Sequence, residues 1–145
     1  MMIAIGCDHG GFNHKQMIIK YFEENNIEFL DCGTFEPVSC DYPDIAEAVC
    51  NSILDGSCDR GILVCGTGIG MSIAANKIDG IRAAHCTDTY SARMSRQHNN
   101  AHILCLGERI TGCDLALDIV KEFLAAEFLG DRHQKRVDKI MALEK

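Results

Sequence analysis

The chain has 145 residues, 47% of them hydrophobic and 24% charged, with a formal net charge of −7. These values lie near the globular averages, and the length suits one well-buried core, so a single domain is expected across residues 1–145. The acidic balance argues against a general nucleic-acid or anionic-membrane binder, because either needs a predominantly basic contact surface. The nine cysteines stand singly, without the Cys-x-x-Cys pair that supplies two thiolates to zinc. An odd number scattered through apolar runs suits free thiols in a reducing compartment better than a disulfide framework. Met1 to Gly6 begins strand-like sequence at once, without the basic segment and apolar run of a signal peptide. A cytoplasmic protein is expected.

Short runs of Ile, Val, Leu and Cys alternate with longer amphipathic stretches, the pattern of repeated β-α units around a parallel sheet. Met2 to Gly6 reads as the first strand. After Asp8-His9-Gly10-Gly11 comes a helix with Ile18, Ile19 and Phe22 on its buried side and Lys15, Lys20 and Glu23 outward, ended by Asn25-Asn26. Glu28 to Asp31 is a second, short strand. Pro43 fits the first turn of the next helix, where its missing N–H costs nothing, and Ile45, Val49 and Ile53 form its apolar stripe. Arg60 to Cys65 is an almost unbroken apolar run, as expected of a central strand covered on both faces. Gly66 to Gly70 turns it into a helix reaching about Lys77, and Ile81 to Cys86 follows as a strand. Thr87-Asp88 can cap a helix towards Arg96, and Ala101 to Leu106 is a fifth strand. A helix from about Gly112 to Phe128 and a basic helix from Arg132 to about Leu143 complete the chain. The expected fold is a three-layer α-β-α sandwich, a Rossmann-like, doubly wound, five-stranded parallel sheet, in which ligands collect outside the carboxyl ends of the strands.

Asp8-His9, Cys65 to Gly70 and Gln97 to Asn100 then become the segments of interest. Cys65-Gly66-Thr67-Gly68-Ile69-Gly70 fails the dinucleotide fingerprint because its third glycine comes one residue early, and it lacks the Gly-Lys-Ser/Thr of a P-loop. What remains is a glycine-rich strand-to-helix turn whose N–H groups suit an anion, either a phosphate or an oxyanion formed during reaction. A thiol at a helix N-terminus is favoured as thiolate, and a base beside an oxyanion hole points to proton abstraction next to a carbonyl. Thr67 is near enough in sequence to bond the sulfur or a substrate. Cys65 also fits as one more buried strand cysteine. Asp8 and His9 can move protons or bind a sugar hydroxyl or a phosphate, and Asp8 can equally cap the helix behind it, with His9 at the surface. His98-Asn99-Asn100 suits a polar turn as well as a site, and Tyr42 suits a ligand contact as well as a helix start. Arg132 and Arg136, one helical turn apart, can face one phosphate, with His133 and Lys135 adding to the basic spot.

Taken together, Gly6-Cys7-Asp8-His9-Gly10-Gly11, Asp41-Tyr42-Pro43-Asp44, Cys65 to Ser72, Ala75-Asn76-Lys77, Arg96 to Ala101 and the late arginines resemble the ribose-5-phosphate isomerase B family, which includes the galactose-6-phosphate isomerase subunits. The resemblance spans nearly the whole chain. It implies interconversion of D-ribose 5-phosphate and D-ribulose 5-phosphate, a pentose phosphate pathway step, through an enediolate and without metal or organic cofactor. It implies Cys65 as the base, assisted by Thr67, and backbone amides of Gly66, Thr67, Gly68, Ile69 and Gly70 around the enediolate oxygen. It implies His98 as the ring-opening acid, Asp8 on the opposite ring atoms, His9, Arg132 and Arg136 at the phosphate, and Asn99 and Arg109 completing the sugar site. A homodimer or dimer of dimers, each pocket drawing on two chains, is also implied; neither nucleic acid nor membrane is an expected partner. Allose 6-phosphate and galactose 6-phosphate are the alternative substrates, and a non-catalytic nucleotide or phosphate sensor is the alternative of a different class.

Overall fold

The structure is a computed structural model describing residues 1–145. Five apolar runs form one all-parallel sheet from β1 (Met2–Cys7), β2 (Glu28–Asp31), β3 (Arg60–Cys65), β4 (Ala83–His85) and β5 (Ile103–Gly107), in spatial order β2-β1-β3-β5-β4. Six helices connect and flank it: α1 (Phe12–Glu24), α2 (Tyr42–Leu54), α3 (Ile69–Asn76), α4 (Thr89–Gln97), α5 (Cys113–Ala125) and α6 (Arg132–Met141). This is the expected three-layer, doubly wound α/β fold.

Strand alternation divides the interior into two cores. Ile3, Ile5, Ile62, Val64, Leu104 and Leu106 pack with Ile18 and Phe22 of α1 and Ile119, Val120 and Phe123 of α5. Ala4, Leu63, Cys65, Ile103 and Cys105 face Val49 and Cys50 of α2 and Met71 and Ala75 of α3. Coverage on both faces is why β3 is apolar at consecutive positions rather than at every second one. All nine cysteines are free, and six are buried. Burial pushes the Cys7 thiol up to about 12 and the Cys50 and Cys86 thiols to about 11. No helix is long and apolar enough to cross a membrane.

Several boundaries differ from the sequence-based expectation. The fourth strand contracts from Ile81–Cys86 to Ala83–His85, because Arg82 hydrogen-bonds His102 just outside the ladder and Asn76 of α3 clamps Ala83 on both its N–H and its C=O. The fifth begins two residues later than Ala101, whose N–H is held by Ser95 across the preceding turn. The fifth helix stops at Ala125, and the last stops at Met141.

Lys15 corrects the reading of α1 more sharply. Expected outward, it is fully buried, its ammonium 2.7 Å from Asp31 Oδ1 and 2.6 Å from the Thr34 carbonyl, between the Phe12 and Phe35 rings. A buried ammonium is tolerated only with such partners. The pair ties α1 to the end of β2 and to the loop that leads into Tyr42.

Candidate active site

Strand order reverses between β1 and β3: the chain leaves β1 for β2 on one side and later places β3 on the other. The crevice at their carboxyl ends is where a doubly wound sheet presents ligands. A cavity of about 450 Å³ lies there, lined by Asp8, Tyr42, Cys65, Gly66, Thr67, Ile69, Gly70, Ile73 and Arg109. Asp8 follows β1, Cys65 ends β3, and Arg109 follows β5, so three adjacent strands each deliver one reactive or charged group.

Local geometry explains the glycines. Gly68 has φ +82°, a left-handed conformation that turns β3 into α3, and the His85 ring stands where a side chain would go. A Cβ on Gly66 would meet the Arg109 guanidinium at 2.8 Å, and one on Gly70 would meet the Tyr42 ring at 2.8 Å. The small residues thus let a cation and an aromatic ring close over the turn. Cys65 is 5% exposed, and its Sγ accepts the Gly68 N–H at 3.1 Å. Thr67 Oγ1 accepts the Ile69 N–H at 3.2 Å. Two of the five turn amides are therefore occupied within the turn, while those of Gly66, Thr67 and Gly70 have no protein acceptor. Asp8 is both cap and cavity wall: its Oδ1 accepts the Gly10 N–H at 2.9 Å, and its side chain is 7% exposed.

The remaining expected residues form a second, separate cavity of about 320 Å³, lined by His98, Asn99, Arg132, His133, Arg136, Val137 and Ile140. His98 closes α4 and precedes β5, whose first residue pairs with the first half of β3. It therefore lies at the amino end of the sheet, whereas Cys65 lies at the carboxyl end. His98 and His133 stack with ring centroids 4.2 Å apart and planes 12° apart. Burial, followed by the nearby His98, Arg132 and Arg136, holds the His133 imidazole below its ordinary pKa. Leu129 N–H donates to the Gln97 carbonyl and docks the segment before α6 onto the end of α4. His9 is exposed and lines neither cavity; Tyr42 and Arg109 belong with Cys65, Asn99 with His98.

Sequence reasoning did not assign Ile73, Val137 or Ile140 to a site, and it placed His133 only in the basic spot. The signal for His133 and Val137 was their i, i+4 spacing on α6, which turns both inward while Arg132 and Arg136 stay at the surface. No group of three or more His, Cys, Asp or Glu side chains is arranged to hold a metal ion.

A doubly wound sheet with a lined crevice at its switch point and a buried thiol on a glycine-rich turn is the architecture of a small-molecule-binding α/β protein. Comparison with known proteins makes the class specific. Residues 3–140 match the Ribose/Galactose Isomerase family. The chain is 48% identical to ribose-5-phosphate isomerase B of Escherichia coli over 98% of this chain and 95% of that protein. It is 44% identical to a D-erythrulose-4-phosphate isomerase of Pectobacterium atrosepticum over 97% of this chain and 93% of that protein. The solved structure of Clostridium thermocellum ribose-5-phosphate isomerase B is 56% identical and superposes with a TM-score of 0.98, covering 99% of this chain and 97% of that one. The chain belongs to the Ribose/Galactose Isomerase family and is an isomerase, which sets aside the non-catalytic sensor.

Proposed function

We propose that this protein interconverts D-ribose 5-phosphate and D-ribulose 5-phosphate through an enediolate. The observation that carries the reading is Cys65 Sγ at a cavity wall, beside three turn amides that have no protein acceptor. Cys65 as thiolate removes the C2 proton of the open-chain aldose and returns it to C1, and Thr67 assists at the adjacent oxygen. The enediolate oxygen takes its hydrogen bonds from the N–H groups of Gly66, Thr67 and Gly70 rather than from all five turn amides, since those of Gly68 and Ile69 are committed to Cys65 and Thr67. Arg109 and Tyr42 bound the sugar, and Asp8 moves a proton at the ring atoms.

His98 as ring-opening acid, Asn99 at the sugar, and Arg132 and Arg136 on the phosphate complete the machinery, with His9 reaching the same phosphate. Because His98, Asn99, Arg132 and Arg136 lie at the other end of the sheet from Cys65, Asp8 and His9, the complete site combines the Cys65 cavity of one copy with the His98 cavity of another, in a homodimer or dimer of dimers. Exposed Ile69 and Ile73 at the rim of the Cys65 cavity suit such a contact. The reaction needs no added metal or organic cofactor, and the protein acts as one domain in the cytoplasm.

The test is a coupled assay of ribose 5-phosphate against allose, galactose and erythrulose phosphates, with Cys65→Ala alongside. The expected result is the highest kcat/KM for ribose 5-phosphate, a loss of about a thousandfold or more in kcat for the variant, and retained ribose 5-phosphate binding. An active Cys65→Ala enzyme would remove the proposed base, and a higher kcat/KM for another sugar would reassign the substrate.

A further inference from the structure

Arg82 lines neither cavity, yet its contacts converge on the elements that build the cationic one. Its Nε donates to the Asn99 carbonyl at 2.9 Å, one terminal nitrogen donates to the Asn100 carbonyl at 2.9 Å, and the other lies 3.1 Å from Met141 Sδ at the end of α6. Its own N–H donates to His102 Nδ1 at 3.0 Å, and its carbonyl accepts the His102 N–H at 2.8 Å. The turn it holds closes α4 with Asn100 at φ +47°, a left-handed conformation that asparagine tolerates, its N–H donating to the Arg96 carbonyl at 3.2 Å. Arg96 supplies the second hold, donating to Asn100 Oδ1 at 3.0 Å and to the Ala101 carbonyl at 2.6 Å.

We propose that Arg82 is a positioning residue for the phosphate half of the site: its guanidinium locks the His98-Asn99-Asn100 turn against α6, fixing His98 and Asn99 relative to Arg132 and Arg136. A planar guanidinium can address two consecutive carbonyls and a third partner at fixed angles, whereas an ammonium presents a single point. Releasing that turn loosens the phosphate contacts and displaces the His98 acid together, so substrate binding and turnover both suffer. The inference rests on the assignment of this cavity to the phosphate.

The experiment compares wild type, Arg82→Gln and Arg82→Lys by KM and kcat for ribose 5-phosphate, by calorimetric binding of inorganic phosphate, and by melting temperature. For Arg82→Gln, about a tenfold rise in KM is expected, with a parallel weakening of phosphate binding, and kcat falls as well because the His98 acid moves with the turn. Arg82→Lys should recover part of both losses by reaching one carbonyl. A merely structural residue would lower the melting temperature while leaving KM and phosphate affinity at wild-type values, and that result overturns the proposal. So does an absence of phosphate binding by the wild type, or equal defects in the Lys and Gln variants. Phosphate binding needs no turnover, so a wild type that binds phosphate but does not isomerise ribose 5-phosphate removes the substrate assignment and still lets the role of Arg82 be read.

Discussion

The two cavities are built on opposite principles. At the carboxyl end of the sheet, Cys65 is flanked by glycines, and the polar partners are mostly backbone N–H groups held by the turn itself. At the amino end, four of the lining side chains carry or can take positive charge, and the adjoining turn is held from outside by half-buried Arg82 and buried Arg96. The first arrangement is short-range and rigid, as stabilising a charge that forms during reaction requires. The second gathers permanent positive charge, as holding a permanent dianion requires. Under the proposed function, the chain separates isomerisation at Cys65 from phosphate anchoring and ring opening at the other end of the sheet, and the proposed site is whole only where two copies meet.

The largest effect expected from this division is complementation. Cys65→Ala and His98→Asn should each be nearly inactive alone. If each site takes Cys65 from one copy and His98 from the other, mixing the two variants under subunit exchange restores about a quarter of wild-type activity, because half the dimers are mixed and each has one intact site. Absence of recovery after demonstrated exchange would argue that each copy works alone. Next, Arg136→Ala should raise KM for ribose 5-phosphate about tenfold or more while kcat falls much less, measured by steady-state kinetics. The reverse split would move Arg136 from anchoring to chemistry.

The smallest effect concerns acid stability, and it arises at His102, which is hydrogen-bonded to Arg82 beside the turn of the cationic cavity. Burial, then Arg82 and Arg96, pushes the His102 imidazole down from 6.5 to about 4. The unfolded chain therefore binds a proton that the folded chain refuses, so stability present above pH 6.5 declines as pH falls towards 4 and levels off below it. The decline attributable to this group amounts to about 3 kcal/mol at most. His102→Gln should flatten that part of the urea-unfolding stability profile, and an unchanged profile would show that other groups set the acid limb.

Much of the fold was legible because periodicity reports burial directly. The continuous apolar run of β3, the helical stripes of α2 and α5, and Gly66 to Gly70 at a strand-to-helix junction each follow from one local pattern. Lys15 was not legible, since a lysine on a helix signals solvent unless Asp31 and the Thr34 carbonyl, brought close only by the β1–β2 pairing, are known to await it. The true extent of β4 was hidden for a similar reason: Asn76, His102 and Arg82 decide it through contacts between distant segments.

By itself the sequence determined the α/β class, the order of elements, the free thiols and the glycine turn behind Cys65, and it nominated the residues of the candidate site, because each rests on neighbours along the chain or on a nearly full-length resemblance. Only the tertiary structure decided that Gly68 and Ile69 spend their amides within the turn, that Lys15 is an internal clamp, and that His98 and His133 stack in a cavity separate from that of Cys65. These depend on hydrogen bonds and contacts that form only when the backbone turns and distant segments pack, and side-chain periodicity reports faces, not partners.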